Sequence, residues 1–468
     1  MHWVFTQEFF RHWAWSRISR RWRTMMYLDA VSRICNFPQG SDLPAETDQM
    51  KNPNQKADVV EVVIDLERLG GLQRMGWLHR QVGGGGDVFS FEYDKDWLKH
   101  PEVFQFDPDL QLVEGRLYAP ADRENFGIFL DSSPDRWGRL LMQRRAAQRA
   151  AKAGNPPPTL SAWDYLIDVH DLTRMGALRF RRDEKAPFLD DKEEQAAPPI
   201  ARVQTLQAVS LKLEGEHAEE HPDYEKWLAQ LVAPGSALGG ARPKAAVIDE
   251  GGNLCIAKFP SRRDIQDVGA WEYVAHRLAL RAGIDVAPTQ LLRLGEEGHT
   301  FLSRRFDRTD SGGRKAFVSA MTLLQRKDGE EGASYLELVE LLQTRGARAQ
   351  VDCAQLYRRV AFNICVSNTD DHLRNHGFFV EPQGLALSPA YDMNPNPQGK
   401  DHSIAIDEVN TSSNLDVLRK ATGAYGLSTK EGAAIIDEVL AATSSWLEEA
   451  EGIGISRGER DKMKPAFK

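Results

Sequence analysis

Long apolar runs and paired cysteines are scarce in this sequence. No segment approaches the roughly 20 uninterrupted apolar residues of a membrane-spanning helix, so we expect no membrane span. The four cysteines, Cys35, Cys255, Cys353 and Cys365, include no CxxC pair and no spacing typical of a disulfide framework or a zinc site. This pattern predicts a protein of the reducing cytoplasm.

Excess positive charge is also lacking. The 59 lysines and arginines are outnumbered by 68 acidic residues, which gives a formal net charge of -9. This balance excludes the broad basic surface of a stand-alone nucleic-acid-binding protein, so DNA contact requires a partner or a local patch. With 468 residues, 41% of them hydrophobic, the chain is expected to form about two to four packed units.

The first 35 residues depart from this composition, with six arginines against two acids and four of the 11 tryptophans. Because the arginines interrupt the apolar residues, the segment does not resemble a secretory signal. Two interpretations stay open: an amphipathic helix that binds a surface or partner, and a disordered or accessory extension over 1–56. The polar, turn-rich stretch 36–54 favours the second and makes Met50 an alternative start.

Apolar periodicity predicts strands and helices in the first half of the chain. Residues 59–66 and 88–97 have strand patterns, and GGGG at 83–86 predicts a hairpin tip between them. The SSPD motif predicts a helix start with Pro134 near the first turn. Residues 183–200 are charged and contain prolines, which favours a linker or a long exposed loop.

The second half changes from strands to helices. Helical periodicity is found at 201–232 and 269–282, and it dominates from 315 to 450. Strand patterns occur at 245–248, 254–259, 289–294 and 300–304, and a further hairpin is predicted at 376–391.

The strongest chemical signal is the segment 367–377, SNTDDHLRNHG. Asp370 and Asn375 have the D-x-x-x-x-N spacing of a kinase catalytic loop. An antiparallel hairpin brings the residue before its first strand beside the residue that ends its second. The sequence therefore predicts that Asn375 and Asp392 are neighbours.

Two oxygen ligands at one end of a hairpin suit Mg²⁺ that bridges nucleotide phosphates. In this interpretation Asp392 and Asn375 hold the metal, and Asp370 orients a substrate hydroxyl and accepts its proton. The alternative is that all three residues cap or begin turns, as Asp and Asn often do.

The neighbours of Asp370 receive smaller roles. Asp371 is expected to face solvent, although its position leaves the two aspartates open to exchanged roles. His372 is expected to organise the loop by hydrogen bonding, whereas His376 and His402 have the pattern of ordinary polar or packing histidines.

A second signal is the segment 236–244, SALGGARPK, just before a strand. Glycines let backbone N–H groups approach phosphate oxygens, and Arg242 and Lys244 add positive charge. The GxxxxGK[ST] spacing of a Walker A loop is absent. Lys258 on the next strand and Glu272 on the following helix match the lysine–glutamate pair with which kinases hold the α and β phosphates. The alternative is that Lys258 is a solvated edge lysine.

These motifs resemble the HipA-type toxin kinases of bacterial type II toxin–antitoxin systems over about 57–450. In the second half the resemblance rests on GGARPKA (239–245), IAKFP (256–260), WEY (271–273), RRFDR (304–308), NTDDHLRNHGF (368–378) and AYD (390–392). In the first half it rests on FEYDKDWL (91–98), FLDSSPDRWGRLL (129–141) and MGALRF (175–180).

The resemblance implies an α+β fold. A bilobal, protein-kinase-like domain, with a small β-rich lobe and a larger helical lobe, follows a HipA-type N-terminal α/β domain. The predicted segments are the extension 1–56, the N-terminal domain with its linker 57–200, the small lobe with the phosphate loop 201–314, the helical lobe with the catalytic loop 315–455, and a tail 456–468.

The resemblance also implies roles for individual residues. Asp370 is the proton acceptor, Asn375 and Asp392 bind Mg²⁺, Glu272 supports Lys258, and 304–306 is a hinge that holds adenine through backbone groups. The implied ATP-binding residues are Gly239, Gly240, Ala241, Arg242, Pro243, Lys244, Lys258, Arg304, Arg305, Phe306, His372, Leu373, Arg374, Asn375 and Tyr391.

The implied function is an ATP- and Mg²⁺-dependent serine/threonine kinase that acts as a toxin on a translation component such as an aminoacyl-tRNA synthetase, notably the glutamyl enzyme. The implied partner is a helix-turn-helix antitoxin, through which the protein reaches DNA indirectly. The alternatives are an antitoxin-bound corepressor with weak or lost kinase activity and a small-molecule kinase of the same fold.

The sequence departs from the family in two places. The position of the family's regulatory serine, which precedes the glycines, falls on Ala237 when counted back from Lys244 and on Ser236 when counted forward from the SxxG pattern. Ser236 is therefore the candidate autophosphorylation site. The extension 1–56 has no counterpart in the family.

Overall fold

The structure, a computed structural model, describes residues 58–84, 86–191, 197–232 and 240–468. The predicted extension 1–56 with Met50, and also Ser236 and Gly239, lie outside these residues, so their assignments stay predictions. Within the ranges that the structure describes, no helix has both the length and the apolar character needed to cross a membrane.

The first sheet is antiparallel, with its five strands in the order β4-β3-β2-β1-β5. The strands are β1 (Asp58–Leu66), β2 (Gly71–Gly83), β3 (Gly86–Tyr93), β4 (Arg116–Tyr118) and β5 (Leu178–Arg181). The strand predicted at 59–66 is confirmed as β1, and its residues 60–64 are each at most 2% exposed. Because β1 is buried on both faces, its sequence is a nearly continuous apolar run rather than an alternation.

The hairpin between β2 and β3 confirms the tip predicted at 83–86, because Gly83 pairs with Gly86. The strand predicted at 88–97 is too long, since β3 ends at Tyr93. The Asp94 carboxylate accepts a hydrogen bond from the Asp96 N–H and so begins a short helix, α1 (Lys95–Leu98).

Three helices complete the N-terminal part: α2 (Gly127–Asp131), α3 (Arg136–Lys152) and α4 (Ala162–Ile167). The SSPD motif does precede a helix, but Pro134 lies outside it. Asp135 is the N-cap of α3, and its side chain accepts a hydrogen bond from the Gly138 N–H. A capping carboxylate pairs one of the free N–H groups of the first turn, which places the helix start after the aspartate.

The predicted linker 183–200 is described at 183–191 and 197–200. Phe188 bridges to Arg181 of β5, and the Pro198 carbonyl accepts a hydrogen bond of 2.9 Å from the Ile248 N–H. The described ends of the segment therefore lie against the first and the second sheet.

The second sheet has the strand order β6-β7-β9-β8. Its strands β6 (Lys244–Ile248), β7 (Leu254–Lys258), β8 (Thr289–Arg293) and β9 (His299–Arg304), with helix α7 (Val268–Arg281), confirm the predicted elements. Helices α5 (Val203–Leu213) and α6 (Tyr224–Val232) pack against one face of the sheet with Trp137. Because strand side chains alternate, Ile256 and Lys258 point to the opposite face.

The last part is mostly helical, as predicted. The predicted hairpin is confirmed as β11 (Gly377–Glu381) and β12 (Gly384–Leu387), and a third strand, β10 (Phe317–Ser319), pairs with β11. A strand of three residues is too short to show a pattern, so β10 was not predicted. The helices are α8 (Ala320–Leu323), α9 (Tyr335–Arg345), α10 (Ala349–Cys365), α11 (Leu415–Ala421), α12 (Thr429–Thr443), α13 (Trp446–Gly452) and α14 (Arg457–Met463).

Residues 456–468, predicted as a tail, contain α14 and continue as packed chain. The Phe467 ring stacks on Trp446 with ring centroids 4.6 Å apart. The Met463 side chain is fully buried. These residues therefore contribute to the core that surrounds α7 and α13.

Buried polar contacts join the N-terminal part to the rest of the structure. The Asp131 carboxylate accepts hydrogen bonds from the Ser319 N–H (2.8 Å), the Ser319 hydroxyl (2.7 Å) and the Thr322 hydroxyl (2.9 Å). Asp307 accepts from the Gly176 N–H and from Arg305 and Arg308. These contacts hold α2 and the end of the first sheet close to the site described next.

Candidate nucleotide-binding site

A cleft lies between the second sheet and the segments that flank the hairpin of β11 and β12. It brings together nine residues predicted for the site from distant parts of the chain: Lys244, Lys258, Glu272, Arg304, Arg305, Phe306, Asn375, Tyr391 and Asp392. Ile256 and Phe301 of the second sheet also line it and give it an apolar wall. An apolar cleft with a few convergent polar groups is the usual form of a small-molecule site.

Lys258 forms a three-residue charge cluster at the polar end of the cleft. Its Nζ lies 2.5 Å from Glu272 Oε1 and 2.6 Å from Asp392 Oδ1. The lysine is therefore paired and not a solvated edge residue. Burial alone lowers the pKa of Lys258, but the carboxylates of Asp392 and Glu272 outweigh it and raise this pKa above its ordinary value.

The pKa values of the two carboxylates in the cluster shift in opposite directions. Burial raises the pKa of Glu272 above its ordinary value. For Asp392 the attraction of Lys258 outweighs burial and lowers the pKa to about 2. Asp392 also has a φ of 59°, in the left-handed region that residues other than glycine seldom adopt. Asp392 is thus an ionised carboxylate held in an unusual backbone conformation.

The structure places Asn375 and Asp392 in the same cleft, as the hairpin geometry predicts. Phe378 pairs with Leu387 across β11 and β12, so the residues before β11 and after β12 lie together at the open end of the hairpin. The Tyr391 hydroxyl donates to the Arg374 carbonyl at 2.6 Å and ties the strand end to the loop.

The oxygen atoms near Asp392 fit a magnesium ion. Within the described residues, Asn394 Oδ1 is buried without a hydrogen-bond partner, and Asn394 Nδ2 lies 3.4 Å from Asp392 Oδ1. The described part of the chain contains no group of three or more His, Cys, Asp or Glu residues that could hold a metal. Mg²⁺ with nucleotides needs only one or two carboxylates, because phosphates and water complete its octahedron. The residues present therefore suit Mg²⁺ bound together with phosphates.

The adjacent aspartates of the catalytic loop have opposite environments. Asp370 is exposed, whereas Asp371 is only 3% exposed, so the expectation that Asp371 faces solvent is wrong. Asp371 Oδ2 accepts hydrogen bonds from the Tyr335 hydroxyl, from Asn363 Nδ2 (2.9 Å) and from His376 Nε2 (2.7 Å). Burial raises the pKa of Asp371, but His376 and the hydroxyl donor outweigh it, and the net pKa is lowered.

The histidine that organises the loop is His376 and not His372. His376, predicted as an ordinary polar or packing histidine, binds Asp371 through its Nε2. His372 was given that role, but among the described residues its Nδ1 is buried without a hydrogen-bond partner. His402 is 3% exposed, and its Nε2 lies 3.1 Å from the Ser413 hydroxyl.

We expect His402 to make stability depend on pH. Burial lowers its pKa from 6.5 to about 4. Between these values the unfolded chain binds the proton and the folded protein does not, so the free energy of unfolding rises with pH across this window. The contribution reaches about 3 kcal/mol and is lost as the pH falls from 6.5 to 4.

Urea unfolding at several pH values between 4 and 7 measures this effect. The variant His402→Gln removes the titrating group, and subtraction of its curve from that of the parent protein cancels the other groups. Parallel curves for the two proteins would refute the assignment.

Several predicted ATP-binding cations already have carboxylate partners. Arg242 binds Asp264 through two contacts of 2.6 Å. Lys244 Nζ lies 2.7 Å from Asp135 Oδ2, and both side chains are at most 3% exposed.

Two cations at the predicted hinge are paired as well. Arg305 pairs with the fully buried Asp307, and Arg304 pairs with the exposed Asp310. The predicted hinge role of 304–306 concerns backbone groups, and the N–H groups of Arg304 and Arg305 donate to the carbonyls of Pro288 (2.9 Å) and Leu254 (2.8 Å).

The remaining predicted residues lie along the two loops. Gly240 has a φ of 100°, which favours glycine, and Ala241 is exposed. Pro243 is buried, and its carbonyl accepts a hydrogen bond of 2.9 Å from the Phe259 N–H. Leu373 is 4% exposed and belongs to the core.

The sequence-based reasoning missed Asp135, Asp264 and Asn394. Asp135 was recognised only as part of a helix start, and no spacing rule links it to Lys244, which is 109 positions further along. Asn394 follows the predicted metal ligand Asp392 by two residues, and this short spacing is the signal that could have identified it.

The fold and the site together define a class of protein. A small antiparallel sheet carries a lysine that pairs with a helix glutamate, and a helical part carries the D-x-x-x-x-N loop and a hairpin that ends in an aspartate. This arrangement is kinase-like.

The comparisons with known proteins agree with this class. Residues 236–447 match the HipA-like C-terminal domain family. HipA of Shewanella oneidensis MR-1, solved in a complex with HipB and its operator DNA, has a TM-score of 0.58 at 17% identity, and the match covers 87% of this chain and 94% of that chain. That likeness confirms the α+β, kinase-like fold. The resemblance to HipA-type kinases is confirmed, and it includes the match of residues 236–447 to the HipA-like C-terminal domain family.

Two curated relatives come from Sinorhizobium fredii. A protein named as a candidate kinase, Y4mE, is 30% identical over 148 residues, which are 30% of this chain and 33% of that protein. A second, named as the candidate kinase Y4dM, is 29% identical over 156 residues, or 30% and 37% of the two chains. The chain therefore spans about a third of the length of the curated relatives it matches.

Proposed function

We propose that the protein is an ATP- and Mg²⁺-dependent serine/threonine protein kinase and the toxin of a toxin–antitoxin module. The observation that carries this proposal is the charge cluster of Lys258, Glu272 and Asp392, which shares one cleft with Asn375. Such a constellation has a direct use in phosphoryl transfer, where catalysis is mainly positioning and charge neutralisation.

The apolar wall of the cleft suits the adenine of ATP. Phe306 lies at the predicted hinge, and its ring centroid is 5.2 Å from that of Tyr391. The ammonium of Lys258 suits the phosphates, and Glu272 keeps it oriented on its strand. Asp392 and Asn375 would hold Mg²⁺, with Asn394 beside them. Bound there, Mg²⁺ supplies positive charge that offsets the charge of the phosphate oxygens.

Asp370 is the proposed proton acceptor, because it is the exposed member of the aspartate pair. Asp371 cannot readily exchange roles with it, since its Oδ2 already accepts three hydrogen bonds. In the reaction the acceptor hydroxyl oxygen bonds to the γ-phosphorus, the bond to the β–γ bridging oxygen breaks, ADP leaves, and the hydroxyl proton passes to Asp370.

The substrate and the partner are proposed from the resemblance. HipA of Shewanella oneidensis was solved with HipB and operator DNA, which supports an antitoxin as partner and DNA contact through it. The proposed substrate is a translation component such as glutamyl-tRNA synthetase, and the proposed location is the cytoplasm. The net charge of -9 agrees with DNA contact that depends on a partner.

We expect Mg-ATP to raise the melting temperature. A ligand that binds only the folded state stabilises it by RT ln(1 + [L]/Kd), about 2.7 kcal/mol at 100 times Kd. Differential scanning fluorimetry with millimolar Mg-ATP measures the shift, and Mg²⁺ without nucleotide is the control. An unchanged melting temperature would contradict the proposal and favour the corepressor alternative.

The acceptor can be found by incubating the protein with a cell lysate and labelled ATP. A labelled protein band, identified by mass spectrometry and absent with Asp370→Asn, would give the substrate. A label only on small molecules would instead favour a small-molecule kinase of the same fold.

A further inference from the structure

The described part of the predicted phosphate loop, residues 240–244, is tied to the N-terminal part through Lys244. Lys244 is 1% exposed, and its Nζ donates to Asp135 Oδ2 at 2.7 Å and to the Gly240 carbonyl at 3.2 Å. Its own carbonyl accepts a hydrogen bond of 3.0 Å from Trp137 Nε1. Both Asp135 and Trp137 lie at the start of α3, outside the HipA-like C-terminal domain at 236–447.

Asp135 is held in one orientation, because both of its oxygens are used. Oδ1 accepts the hydrogen bond from the Gly138 N–H that caps α3, and Oδ2 faces Lys244. The side chains of Asp135 and Lys244 are 3% and 2% exposed. A buried ion pair is sensitive to the loss of one partner, because the other charge is then left buried and unpaired.

The pair determines the path of the loop just before β6. Gly240 has a φ of 100°, and a Cβ atom at this position would lie 3.2 Å from Lys244 Nζ, so the backbone folds closely over the lysine ammonium. Lys244 also stands opposite Lys258 in the ladder of β6 and β7. A shift of Lys244 would therefore disturb both the loop at 240–244 and the strand that carries the cluster lysine.

We propose that Asp135 is a positioning residue of the nucleotide site, supplied by the N-terminal part, and that Lys244 anchors the phosphate loop to it instead of binding phosphate. Two of the three ammonium protons of Lys244 are directed to Asp135 and Gly240, and its charge is matched by a buried carboxylate. The phosphate contacts then come from Lys258 and from backbone N–H groups of the loop. This inference rests on the proposed nucleotide-binding function.

The test is the affinity for Mg-ATP of Asp135→Asn, measured by isothermal titration calorimetry, together with KM and kcat. Asparagine is as good an N-cap as aspartate, so the variant keeps the cap of α3 and replaces the carboxylate oxygen that faces Lys244 with an uncharged amide NH2 group. We expect Kd and KM for ATP to rise at least about tenfold with kcat within about threefold, because the loop is misplaced but Asp370 and the cluster remain. Trp137→Phe, which keeps an aromatic but smaller side chain and removes the hydrogen bond to the Lys244 carbonyl, should shift Kd in the same direction.

Asp131→Asn is the matched control. Asp131 is also a buried carboxylate of the N-terminal part, but it binds Ser319 and Thr322 and does not contact the loop. It should lower the melting temperature and leave Kd for ATP unchanged.

The outcomes separate the inference from the proposed function. Equal Kd values for Asp135→Asn, Trp137→Phe and the parent protein would overturn the inference. A rise in Kd with Asp131→Asn equal to that with Asp135→Asn would also overturn it, since the effect would then be general destabilisation. If the parent protein itself binds no ATP, the proposed function fails first.

Discussion

Replacement of Asp370 by asparagine should lower the rate of phosphoryl transfer by about 10²- to 10⁴-fold, the usual effect of removing a positioned general base. The side chain keeps its size and loses its negative charge, and with it the ability to accept a proton. Asp370 is exposed, so the change should alter the free energy of unfolding by no more than about 0.5 kcal/mol. Loss of activity without loss of stability is the expected combination.

Turnover with labelled ATP and urea unfolding of the same protein sample measure both quantities. Asp461→Asn is the control, because the Asp461 side chain is 72% exposed and lies on α14, away from the cleft. Autophosphorylation or growth arrest that persists at parent levels in Asp370→Asn would refute the role of Asp370 and favour Asp371 as the proton acceptor.

Replacement of Lys258 by methionine should have the largest combined effect on nucleotide binding and on the free energy of unfolding. The ammonium is the shared partner of Glu272 and Asp392, and without it both carboxylates remain in the cleft with their mutual repulsion. Removing one member of a buried ion pair costs about 3–5 kcal/mol. We therefore expect nucleotide binding to be lost and the protein to unfold at much lower urea concentration.

This destabilisation should depend on pH in a defined direction. In the variant, the pKa of Asp392 should rise from about 2, because Lys258 no longer favours the ionised form. A carboxyl whose folded pKa exceeds the unfolded one destabilises the fold as the pH rises through that range. The stability difference between variant and parent should thus be largest near pH 8 and smaller near pH 5.

Lys152→Met is a matched control for this variant. Lys152 Nζ lies 2.5 Å from Glu225 Oε2, the same distance as Lys258 from Glu272, but both side chains are more than half exposed. A surface ion pair contributes about 0–1 kcal/mol, so the control should unfold almost like the parent protein. If the two variants lowered the free energy of unfolding by the same small amount, Lys258 would not hold the cluster together.

Local patterns were sufficient for much of the fold. The paired strands of the second sheet, helix α7 and the hairpin of β11 and β12 appeared where the apolar periodicity predicted them. The predicted boundary of a strand was wrong where a single side chain begins the next element. Asp94 caps α1, so β3 ends one residue before it. The three-residue strand β10 forms only because β11 offers it a partner, which a local pattern does not show.

The site, like the fold, was predicted only in part, because spacing along the chain indicates only the contacts between residues of neighbouring elements. Spacing between a strand and the next helix predicted the pair of Lys258 and Glu272, and spacing along a hairpin predicted that Asn375 and Asp392 meet in one place. Burial and long-range pairing were decided only by the tertiary structure. Asp371 is buried and Asp370 exposed, although the two are adjacent, because Tyr335 and Asn363 come from other helices. Lys244 finds Asp135 only when two distant segments pack together, since the position of a charge partner across a core depends on the whole fold and not on neighbouring residues.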